Sequence, residues 1–322
     1  MTVLFDALAS LCKFQFVRVR SFQNYGKGEI NCMHHEYYYY DKAQLLSAPQ
    51  IPMEVMADKP TVFKAIAREM ADFIKEKNEK GETTVFICPV GPIGQYPYFV
   101  DMVNSEGISL KNCWFINMDE YLDDDKQWIP MEHPLSFRGF MNRTVYTKIN
   151  SELNVPEDHR VFPDPNNVDY IPNLIEKLGG VDVCFGGIGI NGHLAFNEAD
   201  PSLTCEEFKA LKTRVLPITP ETRTANAIGD FGGRLEDMPR YCVTIGFHEI
   251  FNSRRIRLGV FRDWHRAVVR RAGYGEKTAD FPVSMLADHP DARIRMTEYG
   301  ANLEDCGGSY GKDIYRKRPG LP

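Results

Sequence analysis

Val181–Asp200 reads VDVCFGGIGINGHLAFNEAD. The opening VDVCF is a short apolar run of strand length, and the glycine-rich turn behind it ends at His193. Asn191 stands two residues before that histidine and Glu198 five after it. A turn so dense in glycine is either a plain reversal or a place where backbone comes close to a ligand while His and Glu act on it. A strand running straight into such a loop is the pattern at the carboxyl ends of parallel strands, where open α/β sheets bind ligands. The GxGxxG spacing is not read as a dinucleotide fingerprint. It falls more than halfway along the chain, and LAFNEAD does not continue as the long helix that motif needs.

The segments on either side alternate in the same way. Val62, Phe63, Ile66, Met70, Phe73 and Ile74 keep helical spacing, with Gly81 as the stop. TTVFICP reads as a buried strand, QYPYFVDMVN as a helix, and NCWFINMDEYL as one strand running into acidic residues. YIPNLIEKLGG is a short helix ahead of VDVCF. RYCVTIGF and RIRLGVF are further strands, WHRAVVRRA a helix and ARIRMTEY a late strand. The expected architecture is α/β: a three-layer, Rossmann-like fold with a mostly parallel central sheet and helices on both faces. PVGPIGQ, MDEY and GGIGINGH then all sit at carboxyl ends of strands and are expected to share one crevice.

Asp119 and Glu120 end a buried run, where a carboxylate serves either as a general base or as a cap or solvated strand end. His193 with Glu198 can shuttle protons, or be a structural histidine. The chain contains no HExxH, so no metal site is expected; its GxSxG match, GGSYG at 307–311, lies in the Gly-rich tail with no apolar strand before it, so no serine hydrolase is expected either. His34 and His35, in HHEYYYY, have no evident third ligand, and that segment reads as irregular surface or interface.

The 322 residues carry a net charge of −6, which argues against a nucleic-acid partner. None of the eight cysteines forms a CxxC pair and several lie in apolar runs, so a reducing, cytoplasmic setting is expected. No run reaches the ~18 apolar residues of a membrane span, and MTVLFDALASLCKF lacks the basic start of a signal peptide.

FINMDEYL, EHPLSFRGFMNR, FGGIGINGHLAFNEA and TRVLPITPETRTANA resemble, in order and spacing, the glucosamine-6-phosphate deaminase/isomerase family over Ile51 to Tyr299. The 6-phosphogluconolactonases share that fold and the GxGxxGH turn. The resemblance implies an aldose–ketose isomerase that releases ammonia from an amino sugar phosphate and leaves a ketose phosphate, with no metal or organic cofactor. Asp119 would move the proton between C2 and C1, His193 would assist ring opening, Glu198 would pair with it, and Glu120 belongs to the same acidic motif. Gly187, Gly189 and Gly192 would line the substrate. A homo-oligomer is implied as well.

The departures from the family pattern concern charge. Asn191 replaces the usual Asp beside the histidine, and the phosphate loop is VGPIG, Val90 to Gly94: Val90 and Ile93 stand in place of hydroxyl donors and Pro92 has no N–H, with Val90, Gly91 and Pro92 expected to touch the substrate. Ile228 stands where the family has an arginine, Arg266 where it has a lysine and is expected still to bind the anion, and Leu216 where hexameric members carry a regulatory lysine. The proton-transfer half is thus matched and the phosphate half rebuilt, for a sugar or sugar acid other than the standard 6-phosphate. The alternatives are a lactonase-like hydrolase, with His193 activating water, and a non-catalytic sugar-binding protein. Residues 1–50 read as an arm or lid, 51–300 as the α/β domain and 301–322 as a loosely ordered tail.

Overall fold

The computed structural model describes residues 35–303. Seven parallel strands make the main sheet, in the order β1 (Met53–Met56), β10 (Ala292–Thr297), β9 (Arg255–Val260), β6 (Val183–Gly186), β2 (Thr84–Cys88), β3 (Cys113–Asn117) and β5 (Arg160–Val161). From β2 the chain moves outward to β3 and β5; from β6 it moves the other way, to β9 and β10. The order therefore reverses between β2 and β6, and the loops that leave these two strands diverge over a crevice at the carboxyl edge.

Alternation along the strands divides the core. Phe86, Phe115, Val183 and Phe185 face α2 (Lys59–Glu79) and α3 (Gln95–Glu106); Val85, Ile87, Ile116, Cys184, Ile256 and Leu258 pack with residues of α5 (Tyr170–Lys177) and α9 (His265–Tyr274). Burying each of these large apolar side chains contributes about 1.5–3 kcal/mol. Helix α2 begins where its sequence says it should: Asp58 accepts from Thr61 N at 2.8 Å, and Pro60 occupies the first turn. It ends at Lys80, before Gly81 at φ +66°.

One expectation is corrected. NCWFINMDEYL is not a single strand. The chain leaves the main sheet at Met118, whose N–H still bonds Cys88 O (3.1 Å) while its carbonyl accepts from Ile245 N (2.7 Å). The Met118 side chain lies against Gly186, where a Cβ would meet it at 3.2 Å. Beyond it, β4 (Asp119–Leu122) joins an antiparallel three-stranded sheet with β8 (Tyr241–Thr244) and β7 (Arg214–Pro217). RYCVTIGF therefore belongs to this second sheet. Its own small core, with Tyr121, Phe196, Ile218, Ala227 and Cys242, is closed by α7 (Pro220–Asp230).

Four shorter helices complete the set: α1 (Lys42–Ser47), α4 (Phe137–Met141), α6 (Cys205–Lys209) and α8 (Phe247–Phe251), with α10 (Glu298–Ala301) after β10. No boundary falls at residue 50. Tyr40 packs edge-on against Tyr274, Arg270 Nε donates to Tyr40 O, and Gln50 binds the backbone of Ala272, Gly273 and Gly275, so residues from Tyr40 on are part of the domain. The arm before His35, with His34, and the tail beyond Leu303 lie outside the described residues. No helix among the described residues is long and apolar enough to cross a membrane.

Candidate active site

The glycine-rich turn after β6 is built around one imidazole. At Gly189 a Cβ would lie 2.0–2.3 Å from the His193 ring, so only glycine leaves room for it. Gly192 adopts φ +81° with the Phe281 ring packed on it. Gly187 touches the loop after β2: a Cβ there would meet Pro92 at 3.0 Å and Gly91 O at 3.1 Å. The two loops flanking the reversal point thus touch, as the sequence spacing predicts.

Asn191 sets the state of His193. Its Nδ2 donates to Glu198 Oε2 at 2.9 Å, and a carboxylate can only accept, so Oδ1 faces the ring. Oδ1 then accepts from His193 Nδ1–H at 2.7 Å. This tautomer leaves the Nε2 lone pair free for chemistry. Glu198 Oε2 is 3.2 Å from the same Nδ1, and Thr222 Oγ1 donates to Glu198 at 3.0 Å while lying 3.3 Å from the ring. Burial would raise the Glu198 pKa, but His193, Asn191 and Thr222 outweigh it and hold the carboxyl below its usual value. A neutral amide therefore orients the imidazole, and the negative charge comes from Glu198.

Asp119 and Glu120 point to opposite sides of β4 and behave differently. Glu120 is fully buried and fully bonded: it accepts from the backbone N–H of Tyr121, Phe137 and Arg138, from Ser136 Oγ and from Arg138 Nε, at 2.9–3.2 Å. It anchors α4 and has no lone pair left for a substrate. Asp119 is buried and accepts no hydrogen bond among the described residues. Burial, reinforced by Glu120, pushes its pKa up to about 8. Asp119 pairs with Thr244 of β8, and Thr244 Oγ1 accepts from Phe196 N, within the segment that carries His193 and Glu198. β8 thus touches both Asp119 and the segment that carries His193 and Glu198.

Other expected contacts differ. Arg266 is buried, its Nε bonded to Tyr299 O and its guanidinium 3.8 Å from the Tyr299 ring centre, so it packs α9 onto α10. Val90 is half-buried, Gly91 exposed and Pro92 buried. Ile93, Ile190 and Ile228 are exposed. Sequence reading gives no role to Thr222 or His265. The first lies in TRTANA; the second is a lone histidine whose signal is purely tertiary. Two cavities of about 600 and 470 Å³ lie elsewhere, along residues 127–143 with Asp164 and Asn166. Among the described residues no group of three or more His, Cys, Asp or Glu could hold a metal ion.

Sequence comparison decides the family. Glucosamine-6-phosphate deaminase 1 of Bacillus subtilis is 30% identical over 244 residues, 74% of this chain and 93% of its own length. The chain belongs to the glucosamine-6-phosphate deaminase family. The deaminase of Thermoanaerobacter pseudethanolicus agrees, at 29% identity over 75% of this chain and 92% of that protein. A solved monomeric glucosamine-6-phosphate deaminase superposes with a TM-score of 0.68 at 26% identity, over 78% of this chain and 99% of that one. A 6-phosphogluconolactonase of Shewanella baltica shares the fold, with a TM-score of 0.54 at 16% identity, covering 77% of this chain and 97% of that one. No family model matches the chain.

Proposed function

We propose that this protein is an aldose–ketose isomerase that deaminates an amino sugar phosphate, glucosamine 6-phosphate or a close analogue. The observation that carries this is the pairing of a base-poised Asp119 with the oriented His193–Asn191–Glu198 group. His193 Nε2 takes the proton of the anomeric hydroxyl and returns it to the ring oxygen, which opens the sugar. Glu198 stabilises the imidazolium while it exists. The Asp119 carboxylate then removes the proton from C2 and delivers it to C1. The amino carbon becomes an imine, and water adds to it to release ammonia and leave the ketose phosphate. The ring C–O cleavage, the C2-to-C1 shift, the addition of water and the loss of ammonia each need only proton transfers as catalysis, which the side chains present can perform.

The Asn191 amide supports rather than opposes turnover, because it supplies the hydrogen bond that fixes the productive tautomer. The substrate is a small molecule, and a homo-oligomer in the cytoplasm is the setting we infer. The free thiols of Cys88, Cys113, Cys184, Cys205 and Cys242 suit a reducing compartment. Ammonia release from glucosamine 6-phosphate, galactosamine 6-phosphate and unphosphorylated glucosamine tests the activity. We expect release from an amino sugar phosphate, lost by at least about 10³-fold in Asp119→Asn with binding retained. Release that survives the substitution would remove Asp119 from the reaction.

A further inference from the structure

A phosphorylated substrate needs a cation at the end of the sugar remote from C1 and C2, and the positions expected to supply one do not. Ile228 is exposed and apolar, and the Arg266 guanidinium lies on Tyr299. From the geometry around α7 we infer that Arg262, in the loop between β9 and α9, is the residue that binds the phosphate and sets the preference for a phosphorylated sugar. This inference rests on the proposed deaminase reaction.

Three observations carry it. First, the loop is locked to the catalytic turn. His265 Nδ1 accepts from Phe261 N (2.9 Å) and Arg262 N (2.7 Å), and its Nε2–H donates to Ile188 O (3.0 Å), inside the turn that bears His193. Second, the side chain is received by α7. Arg262 Nη2 binds Asp230 Oδ1 at 2.8 Å, and Nη1 lies 1.8 Å from where a Gly229 Cβ would be, so the helix lacks a side chain at the one point where the guanidinium rests. Third, Gly229 and Thr222 are seven residues apart, two turns along the same helix face, about 10 Å from each other. Thr222 touches both His193 and Glu198. The guanidinium is therefore displaced from the reacting groups along α7, by a span suited to an extended hexose chain.

The chemistry fits a phosphate monoester. Asp230 takes one N–H of the five, and the side chain is 31% exposed, which leaves a donor edge open for bidentate contact with phosphate oxygens. Asp230 acts as a positioning residue that holds the fork in place. Exposed Lys59, whose Nζ lies 5.6 Å from the centre of the Phe261 ring, adds positive charge beside the same loop.

The test compares wild type with Arg262→Ala, Arg262→Lys and Gly229→Ala, each checked for an unchanged melting temperature. Gly229→Ala keeps the charge but displaces the guanidinium. KM for glucosamine 6-phosphate should rise about 10- to 100-fold in Arg262→Ala and in Gly229→Ala, less in Arg262→Lys, with kcat close to wild type. Inhibition by inorganic phosphate should weaken in parallel, while kcat/KM for unphosphorylated glucosamine stays constant. A KM within twofold of wild type in Arg262→Ala would overturn the inference. So would an equal loss on phosphorylated and unphosphorylated sugar. Absence of ammonia release in the wild type is a failure of the deaminase reading instead. In that case calorimetric binding of inorganic phosphate decides the Arg262 site by itself: binding lost in Arg262→Ala upholds it, and unchanged or undetectable binding sinks it.

Discussion

At the scale of single residues, the site is defined by two acidic side chains one position apart that the fold treats oppositely. Glu120 receives every donor within reach and becomes structural; Asp119 receives none and becomes a strong base. A base with a pKa of about 8 must be ionised to act. So kcat/KM should rise roughly tenfold per pH unit below about 8 and level off above it. A limb near pH 4 in the pH–rate profile would show that Asp119 titrates as an ordinary carboxyl. The same shift affects stability. Asp119 is protonated in the folded protein and ionised in the unfolded chain between its ordinary value, 3.8, and about 8. Its contribution is fully present below the lower value and is lost as pH rises through the upper one. Asp119→Asn should therefore melt progressively higher than wild type from pH 4 to 8, with the gap constant above. The pairing of His193 with Glu198 was legible in the sequence, because both sit in one turn. That Asn191 can replace a carboxylate was not, because it depends on which way the amide faces.

At the scale of elements, the decisive pieces are a strand that changes sheets and a helix that lines the site. The break at Met118 turns β3 into β4 and presents Asp119 toward the residues that follow the glycine turn. Asn117, Asp119 and Glu120 flank the break, but polar residues there read equally as a strand end, and the departure is set by β8 pairing from far along the chain. Glu120 then ties β4 to α4 through the backbone N–H of Phe137 and Arg138 and the side chains of Ser136 and Arg138, besides its bond to Tyr121 N. Glu120→Ala leaves these donors buried without an acceptor and should cost about 3–5 kcal/mol. Urea unfolding measures it, and a loss below about 1 kcal/mol would show that α4 is held by other contacts. Helix α7 was not read from the sequence, where its residues were quoted only for family likeness, and its same-face pair Thr222 and Gly229 gained meaning only from what packs against each.

At the scale of the whole molecule, the sheet carries an ion-pair lattice that joins distant segments. Glu69 of α2 bonds Arg257 of β9 and Arg295 of β10, which in turn bind Asp291 and Glu54. The Arg257 and Arg295 side chains are only 6% and 11% exposed. Glu69→Ala should destabilise the protein by about 3 kcal/mol, since both cations keep one other partner, and it should leave KM unchanged because the lattice lies away from the crevice. A thermal melt together with steady-state kinetics checks both halves. The sequence by itself determined the layered α/β architecture, the strands whose carboxyl ends carry the loaded loops, and the pairing of His193 with Glu198. Each of these follows from local period and from residues close along the chain. The tertiary structure alone decided the transfer of Asp119 to a second sheet, the burial of Arg266, and the seating of Arg262 on Gly229. These depend on contacts between segments far apart in sequence, where burial and hydrogen-bond supply, not residue type, fix what a side chain can do.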